Sequence, residues 1–313
     1  MKAAFYSLQG GEEVIEIGEF PEPGLGAGQV LIRVKAASVN PVDWKIREGM
    51  LSPVVPSRLP RITGSDFAGV VEAVGSKVRG YSRGDRVLGS TNPATARYGS
   101  FAELTVASQE RVGHLPDELD FETGAALPIA GVTALQAIRD SLLLKPERTV
   151  LVNGASGGVG HFAVQIAGLM GAKVTGTCSR ENMDFVRELG ADQVIDYRTK
   201  EYRQSCFDSI LDAAAKLSFA EICSMLNLGG RHVTTVPDSM IVGLSLFGPV
   251  LPKRFSFLLG RPNPKDLETL AAWCVREKLR VHISRSFSLE ETDRAQEASR
   301  SGHTRGKLLV RLD

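Results

Sequence analysis

The stretch Leu151-Val152-Asn153-Gly154-Ala155-Ser156-Gly157-Gly158-Val159-Gly160 constrains the fold of this chain more than any other. An apolar run that reads as a strand ends in a cluster of small residues, and a helical pattern begins at once. Ala155, Gly157 and Gly160 occupy the three positions of a G-x-G-x-x-G fingerprint, with alanine in place of the first glycine. Small residues there allow a tight turn and let backbone N–H groups approach a pyrophosphate, and the helix N-terminus adds partial positive charge. A merely flexible turn would share the glycines. The strand–loop–helix–strand context favours dinucleotide binding, with Ala155, Gly157, Gly158, Val159 and Gly160 as the phosphate cradle.

The strand after that helix, Lys173–Thr177, is expected to end beside the adenosine ribose. A carboxylate at its end would accept from a ribose 2′-hydroxyl, whereas positive charge suits a 2′-phosphate. Here the chain reads Cys178-Ser179-Arg180, followed by Glu181. A hydroxyl beside a guanidinium, with no carboxylate at the strand end itself, points to NADPH, with Ser179 and Arg180 on the phosphate.

Around this core the chain changes character near residue 118. Before it, short β-rich runs (Lys2–Tyr6, Val14–Ile17, Val30–Val39, Phe67–Val74, Arg86–Leu88, Phe101–Val106) alternate with Gly/Pro punctuation, the pattern of a barrel or partly open barrel. A helix is expected over Phe121–Ile138. Strands and helices then alternate to about residue 260, which implies βαβ units and a parallel sheet. A helix from Pro264, a strand over Val281–Phe287, a helix over Leu289–Ser299 and a last strand over Lys307–Arg311 follow.

Composition removes other classes. With 37 Lys+Arg against 36 Asp+Glu, the net charge of +1 offers no basic field for nucleic acid. No apolar run approaches the roughly 20 residues of a membrane span, and the N-terminus lacks the apolar core of a signal peptide. Cys178, Cys206, Cys223 and Cys274 are scattered, which excludes a disulfide framework and suits a reducing, cytoplasmic setting.

Further segments carry a family resemblance. Asn40-Pro41-Val42-Asp43-Trp44-Lys45, Gly64-Ser65-Asp66-Phe67-Ala68-Gly69-Val70-Val71, Leu127-Pro128-Ile129-Ala130-Gly131-Val132-Thr133-Ala134, Glu188-Leu189-Gly190-Ala191-Asp192 with Asp196-Tyr197, and Gly302-His303-Thr304-Arg305-Gly306-Lys307 span nearly the whole chain. Together with the phosphate loop they resemble the medium-chain dehydrogenase/reductase superfamily, in particular its zinc-independent quinone oxidoreductase branch and the plant alkenal/one oxidoreductases within it. The resemblance implies an α/β fold in which a Rossmann-type doubly wound parallel sheet is inserted into a GroES-like β-barrel domain. Residues 1–117 would begin the GroES-like catalytic domain, 118–260 would form the NADPH-binding domain, and 261–313 would return to the catalytic domain. The resemblance also implies a homodimer.

Zinc members of that superfamily use Cys, His–Glu and Cys or Asp ligands. Here the first cysteine position is Ser38, the G-H-E segment reads Gly64-Ser65-Asp66, and the five histidines show no paired spacing. Zinc prefers nitrogen and sulfur donors, so no metal is expected. Without one, alkoxide oxidation loses its main driving element. Hydride delivery to the β-carbon of an α,β-unsaturated ketone or aldehyde, or to a quinone, stays accessible, provided developing negative charge on oxygen is stabilised.

The resemblance places Lys45 against NADPH, and its ammonium is the expected donor toward cofactor ribose and substrate oxygen. Asn40 would hydrogen-bond ribose or substrate, and Asp43 would hold the turn. Thr133, Tyr197, Gly306 and Lys307 are further cofactor positions, although a capping hydroxyl or a core-edge tyrosine would look the same. The loop Ser90–Ser100 is expected to rim the substrate pocket. The apolar stretch 241–253 reads as pocket wall, subunit contact or core helix. Two rivals to an enone or quinone reductase stay open: a biosynthetic enoyl reductase dedicated to one intermediate, and a catalytically silent NADPH-binding module.

Overall fold

The computed structural model describes residues 1–52, 55, 58–236, 239–246 and 251–312. They divide into two compact units. The first comprises Met1–Ile129, Arg261–Glu277 and Ile283–Asp313, and the second Ala130–Gly260 and Lys278–His282.

The N-terminal part of the first unit contributes β1 (Lys2–Tyr6), β2 (Glu16–Glu19), β3 (Gln29–Ser38), α1 (Pro41–Arg47), β4 (Arg61–Ile62), β5 (Asp66–Val74), β6 (Arg86–Ser90), β7 (Leu104–Ser108), β8 (Val112–His114) and α2 (Phe121–Ala126). Helix α2 packs on β3 and β5, which is why this unit runs past residue 117 to Ile129. The segment expected as one helix over Phe121–Ile138 is divided. Asp120 caps α2 by accepting from the Thr123 N–H at 2.6 Å, and Pro128 then starts α3 (Pro128–Gln136), a position proline tolerates because a first-turn N–H is unpaired anyway.

The second unit holds β9 (Thr149–Asn153), α4 (Gly160–Leu169), β10 (Lys173–Cys178), α5 (Met183–Glu188), β11 (Gln193–Asp196), β12 (Phe207–Asp212), α6 (Phe219–Met225), β13 (Leu226–Thr234), α7 (Ser239–Leu246) and β14 (Arg254–Phe257). Its strands form one parallel sheet in the order β11-β10-β9-β12-β13-β14. That is the doubly wound dinucleotide-binding order, whose direction reverses between β9 and β12. Leu151, Ile210, Ile222, Met225 and Phe255 make its core, each large side chain worth about 1.5–3 kcal/mol on burial. In the apolar stretch after residue 240, Ile241 is buried and Leu244 and Leu251 pack on that core, as a core helix requires. Phe247 and Val250 lie outside the described residues.

The tail then returns to the first unit with α8 (Pro264–Val275), β15 (Ile283–Ser288), α9 (Thr292–Arg300) and β16 (Lys307–Arg311). Strand β16 pairs antiparallel with β3, Leu309 opposite Ser38 and Val310 opposite Ala37. The larger sheet runs β15-β16-β3-β5-β6-β8, with β7 also on β3, and a smaller one runs β2-β1-β4. Register shifts between β3 and β5 at Leu31/Ile32 and Val34/Ala36 bend the pair. The alternating inward residues Val30, Ile32 and Val34 meet Phe67, Val71, Phe101, Phe287 and Val310 in the core.

Candidate functional site

Two clusters carry chemistry, one in each unit. In the second unit, the chain leaves β9 through Gly154, whose φ of 82° lies in the left-handed region that favours glycine. Ala155 donates to Thr177 O at 2.8 Å and Gly157 to Gly154 O at 3.1 Å, closing a tight turn. A Cβ on Gly160 would sit 2.1 Å from Gly154 O, so no other residue fits there; one on Gly157 would meet only that same oxygen, at 3.4 Å. Gly157 is therefore not demanded by protein packing. Among the described residues the N–H groups of Gly158 and Val159 find no acceptor, and they stand at the start of α4. Unpaired amides at a helix N-terminus form a seat for an anion. The loop is braced from below: Thr177 Oγ1 donates to Asn153 Oδ1 at 2.6 Å, and Asn153 Nδ2 to Asp212 Oδ1 at 2.7 Å, tying the ends of three adjacent strands. The sequence reading missed this brace, because it joins residues on three separate strands.

Strands β10 and β11 end side by side, Cys178 opposite Asp196, which brings Ser179, Arg180 and Tyr197 to one sheet end. Arg180 is exposed and pairs with no carboxylate among the described residues. Glu181, which would weaken its field, is engaged elsewhere. The Ser179 hydroxyl and Arg198, 3.5 Å away, hold the Glu181 carboxyl below its ordinary range. Tyr197 is 43% exposed with the Arg198 guanidinium 5.5 Å from its ring centre. Arg198 is a second cation here that the sequence reading passed over. Thr133, by contrast, is buried on α3, with Gly260 so close that a Cβ there would lie 2.1 Å from its hydroxyl oxygen.

In the first unit, Asn40-Pro41-Val42-Asp43-Trp44-Lys45 is the entry to α1 rather than a turn. Asp43 accepts the Asn40 N–H at 2.8 Å and the Ser65 hydroxyl at 2.6 Å. Lys45 is half-buried, its ammonium 5.5 Å from the Trp44 ring centre. Burial pushes its pKa down, and no carboxylate among the described residues pairs with it. The Trp44 Nε1 is buried without a partner among the described residues. Such a donor beside an uncompensated cation calls for an acceptor from elsewhere.

Asn40 and Lys307 are turned inward. Asn40 is 3% exposed; its Nδ2 donates to Asp66 Oδ2 at 2.8 Å, and its Oδ1 accepts from Lys307 Nζ at 2.8 Å. Lys307 is also 3% exposed and gives a second bond to Val39 O at 3.0 Å. The reason is β16: pairing with β3 carries the lysine that follows Gly306 (φ 65°) into the interior. Lys307 thus reaches the site through Asn40.

Asp66 completes the cluster. It accepts from Asn40, from Ser38 Oγ at 3.3 Å and from the Ile129 N–H at 3.1 Å. Burial pushes its carboxyl up, opposed first by Lys307. Asp43, fully buried nearby, is pushed by the same cause to about 7. Ser38, Ser65 and Asp66 are the residues that the resemblance sets where zinc members carry Cys, His and Glu. They present oxygen donors already engaged in hydrogen bonds beside an ammonium, a set that does not suit zinc. Among the described residues, no group of three or more His, Cys, Asp and Glu is placed to hold a metal. The loop Ser90–Ser100 is anchored here, Thr91 donating to Ser65 O at 2.9 Å and Ser100 to Gly64 O at 3.1 Å. No helix among the described residues is long and apolar enough to cross a membrane.

A model described as alcohol dehydrogenase GroES-like domain matches residues 26–117, and one described as zinc-binding dehydrogenase matches residues 189–310. The chain is 34% identical to the chloroplast envelope quinone oxidoreductase homolog of Arabidopsis thaliana, covering 98% of this chain and 96% of that one. Among solved structures it is similar to the quinone oxidoreductase from Coxiella burnetii, with 33% identity, a TM-score of 0.90 and coverage of 100% and 99%. It is also similar to an NAD-dependent alcohol dehydrogenase, at 27% identity, TM-score 0.85 and full coverage of both chains.

Proposed function

Because the chain belongs to the quinone oxidoreductase branch of the medium-chain dehydrogenase/reductase superfamily, an oxidoreductase family that uses a nicotinamide cofactor, we propose that it reduces α,β-unsaturated ketones or aldehydes, and quinones, with NADPH and without zinc. The observation that carries the NADPH part is the unpaired Arg180 at the end of β10, next to a Glu181 already held by Ser179 and Arg198. A 2′-phosphate gains a charge-assisted hydrogen bond there, and a 2′-hydroxyl finds no acceptor committed to it.

In this reading the amides of Gly158 and Val159 and the α4 N-terminus hold the pyrophosphate, and Arg180 holds the 2′-phosphate, the Ser179 hydroxyl being spent on Glu181. Tyr197 lies toward the adenine. When bound, the reduced nicotinamide supplies the hydride. Lys45 is the catalytic cation: its half-buried, unpaired ammonium is free to donate to cofactor or substrate oxygen and to stabilise the enolate or hydroquinone anion as charge develops. Asn40 and Lys307 are positioning residues, since their polar atoms are spent inside the protein. Asp43 fixes the start of α1 and so the direction of Lys45. The oxygen-only character of Ser38, Ser65 and Asp66 supports the metal-free part, and the four free cysteines suit a reducing compartment such as the cytoplasm.

Stopped-flow NADPH oxidation with a panel of enones, enals and simple quinones tests the proposal. Turnover with several of them, faster with NADPH than with NADH, is expected. Tight NADPH binding with no turnover on any acceptor overturns it in favour of a silent binding module.

A further inference from the structure

We propose that the second unit carries an anion site for a small phosphate monoester between β13, β14 and the end of α7, separate from the cofactor cradle. A cavity of about 260 Å³ is lined there by Ser141, Arg231, His232, Ser245, Arg254, Phe255 and Ser256. Arg231 and Arg254 are register partners on adjacent parallel strands, so their side chains leave the same face of the sheet. Neither pairs with a carboxylate among the described residues. Two guanidiniums side by side repel one another, and the pKa of Arg231 is depressed by burial and then by Arg254. An arrangement that costs free energy when empty gains most from a ligand carrying two negative charges.

The hydroxyls narrow the chemistry. Ser245 Oγ donates to Val242 O at 2.7 Å and Ser256 Oγ to His232 O at 2.9 Å, so those two protons are committed. Ser141, at the end of the π turn that follows α3, makes no hydroxyl hydrogen bond among the described residues, which leaves its proton to a ligand oxygen. The polar recognition is therefore two forked cations and one hydroxyl, which fits the oxygens of a single phosphate group. The cavity exceeds inorganic phosphate but lies at the lower edge of ligand pockets, which run from about 300 Å³ upward, so a short organic group fits and a dinucleotide does not.

Its place in the sheet separates it from the cofactor. Arg254 opens β14, and Arg231 lies opposite Ser209, itself opposite Val150 near the start of β9. The phosphate cradle follows Asn153 at the other end of β9, about 10 Å further along the strand at the usual rise and two strands away. One phosphate cannot serve both places.

Calorimetric titration of inorganic phosphate and of glycerol phosphate, into protein with and without saturating NADPH, tests the proposal. Binding in the millimolar range that persists under NADPH saturation is expected, tighter for glycerol phosphate. Arg231→Gln and Arg254→Gln should each weaken it about tenfold, the usual loss for a charge-assisted bond, with NADPH affinity unchanged as the check on folding. Arg254→Lys should recover part of the loss. Phosphate binding that NADPH displaces, that survives both glutamine substitutions, or that is absent in the low-millimolar range overturns the site. So does a change of oligomeric state in the variants with phosphate binding intact, which would make the two arginines a subunit contact. Because phosphate is also titrated without NADPH, failure of the reductase reading and failure of this site are told apart.

Discussion

Replacing Lys307 by methionine removes a buried cation while keeping much of the side chain's apolar volume. The ammonium donates to Val39 O and Asn40 Oδ1 and is the first charge opposing burial of Asp66. Breaking a buried charge pair from one side costs about 3–5 kcal/mol, because the remaining charge keeps its desolvation penalty. Asp66 can recover part of that by binding a proton, since burial already pushes its carboxyl up. The expected loss is thus about 3 kcal/mol at pH 7 and smaller at pH 5. In Lys307→Met/Asp66→Asn both charges are gone, and the double variant should regain about 2 kcal/mol over the sum of the single losses. Urea unfolding at both pH values reads these numbers, and NADPH titration of the same proteins separates the two roles open to the lysine. A positioning lysine moves stability more than NADPH affinity, and lowers kcat through a displaced Asn40. If Lys307→Met unfolds like the wild type while NADPH binding collapses, the lysine contacts the cofactor and the inward network is refuted. Strict additivity of the single losses refutes the coupling to Asp66.

Three further outcomes follow from the same geometry. Asp43, whose carboxyl burial raises from 3.8 to about 7, binds a proton more readily folded than unfolded. Stability should therefore fall as pH rises from about 4 to 7, by on the order of 4 kcal/mol, and stay level above; Asp43→Asn should lose that slope apart from what Asp66 contributes, and an unaltered stability profile would count against a buried acid. Gly160→Ala places a Cβ 2.1 Å from Gly154 O and should lower both thermal stability and NADPH affinity, whereas Gly157→Ala meets only an ordinary contact and should spare stability while weakening NADPH; equal Tm losses in the two would contradict this division. Arg180→Ala should weaken NADPH about tenfold and NADH less than twofold by fluorescence titration; equal weakening of both would remove the 2′-phosphate assignment.

The phosphate loop was legible because its constraint is local. Gly154 and Gly160 close on each other within seven residues, and a turn that needs left-handed φ at one position and no Cβ at another writes both needs into the chain. Helix α1 was less legible. Pro41 at its first turn and Asp43 accepting the Asn40 N–H are start signals, but seven residues are too few to show a helical period. The Asn40–Asp66–Lys307 cluster was legible only as separate pieces. Its bonds span 26 and 267 positions in the chain, so nothing near Lys307 shows that β16 carries it inside.

That cluster also accounts for a residue the sequence left unexplained. Ser38 and Ser65 stand where a zinc site needs sulfur and nitrogen, yet Asp66 keeps a carboxylate, and a carboxylate that is fully buried without compensation costs several kcal/mol. Lys307 supplies the cation, Asn40 links the two, and the Ile129 N–H and Ser38 hydroxyl take the remaining lone pairs. Asn40 sits at the N-cap of the helix that carries Lys45. A charge network inside the first unit therefore sets the direction of its half-buried cation, and a change at Asp66 should be felt at Lys45 without touching it. Asp66→Asn keeps the volume and one acceptor but leaves Lys307 buried without its counter-charge, so kcat should fall while the Kd for NADPH changes little. An Asp66→Asn enzyme with unchanged kcat would show that the network stabilises the fold alone and does not align the lysine.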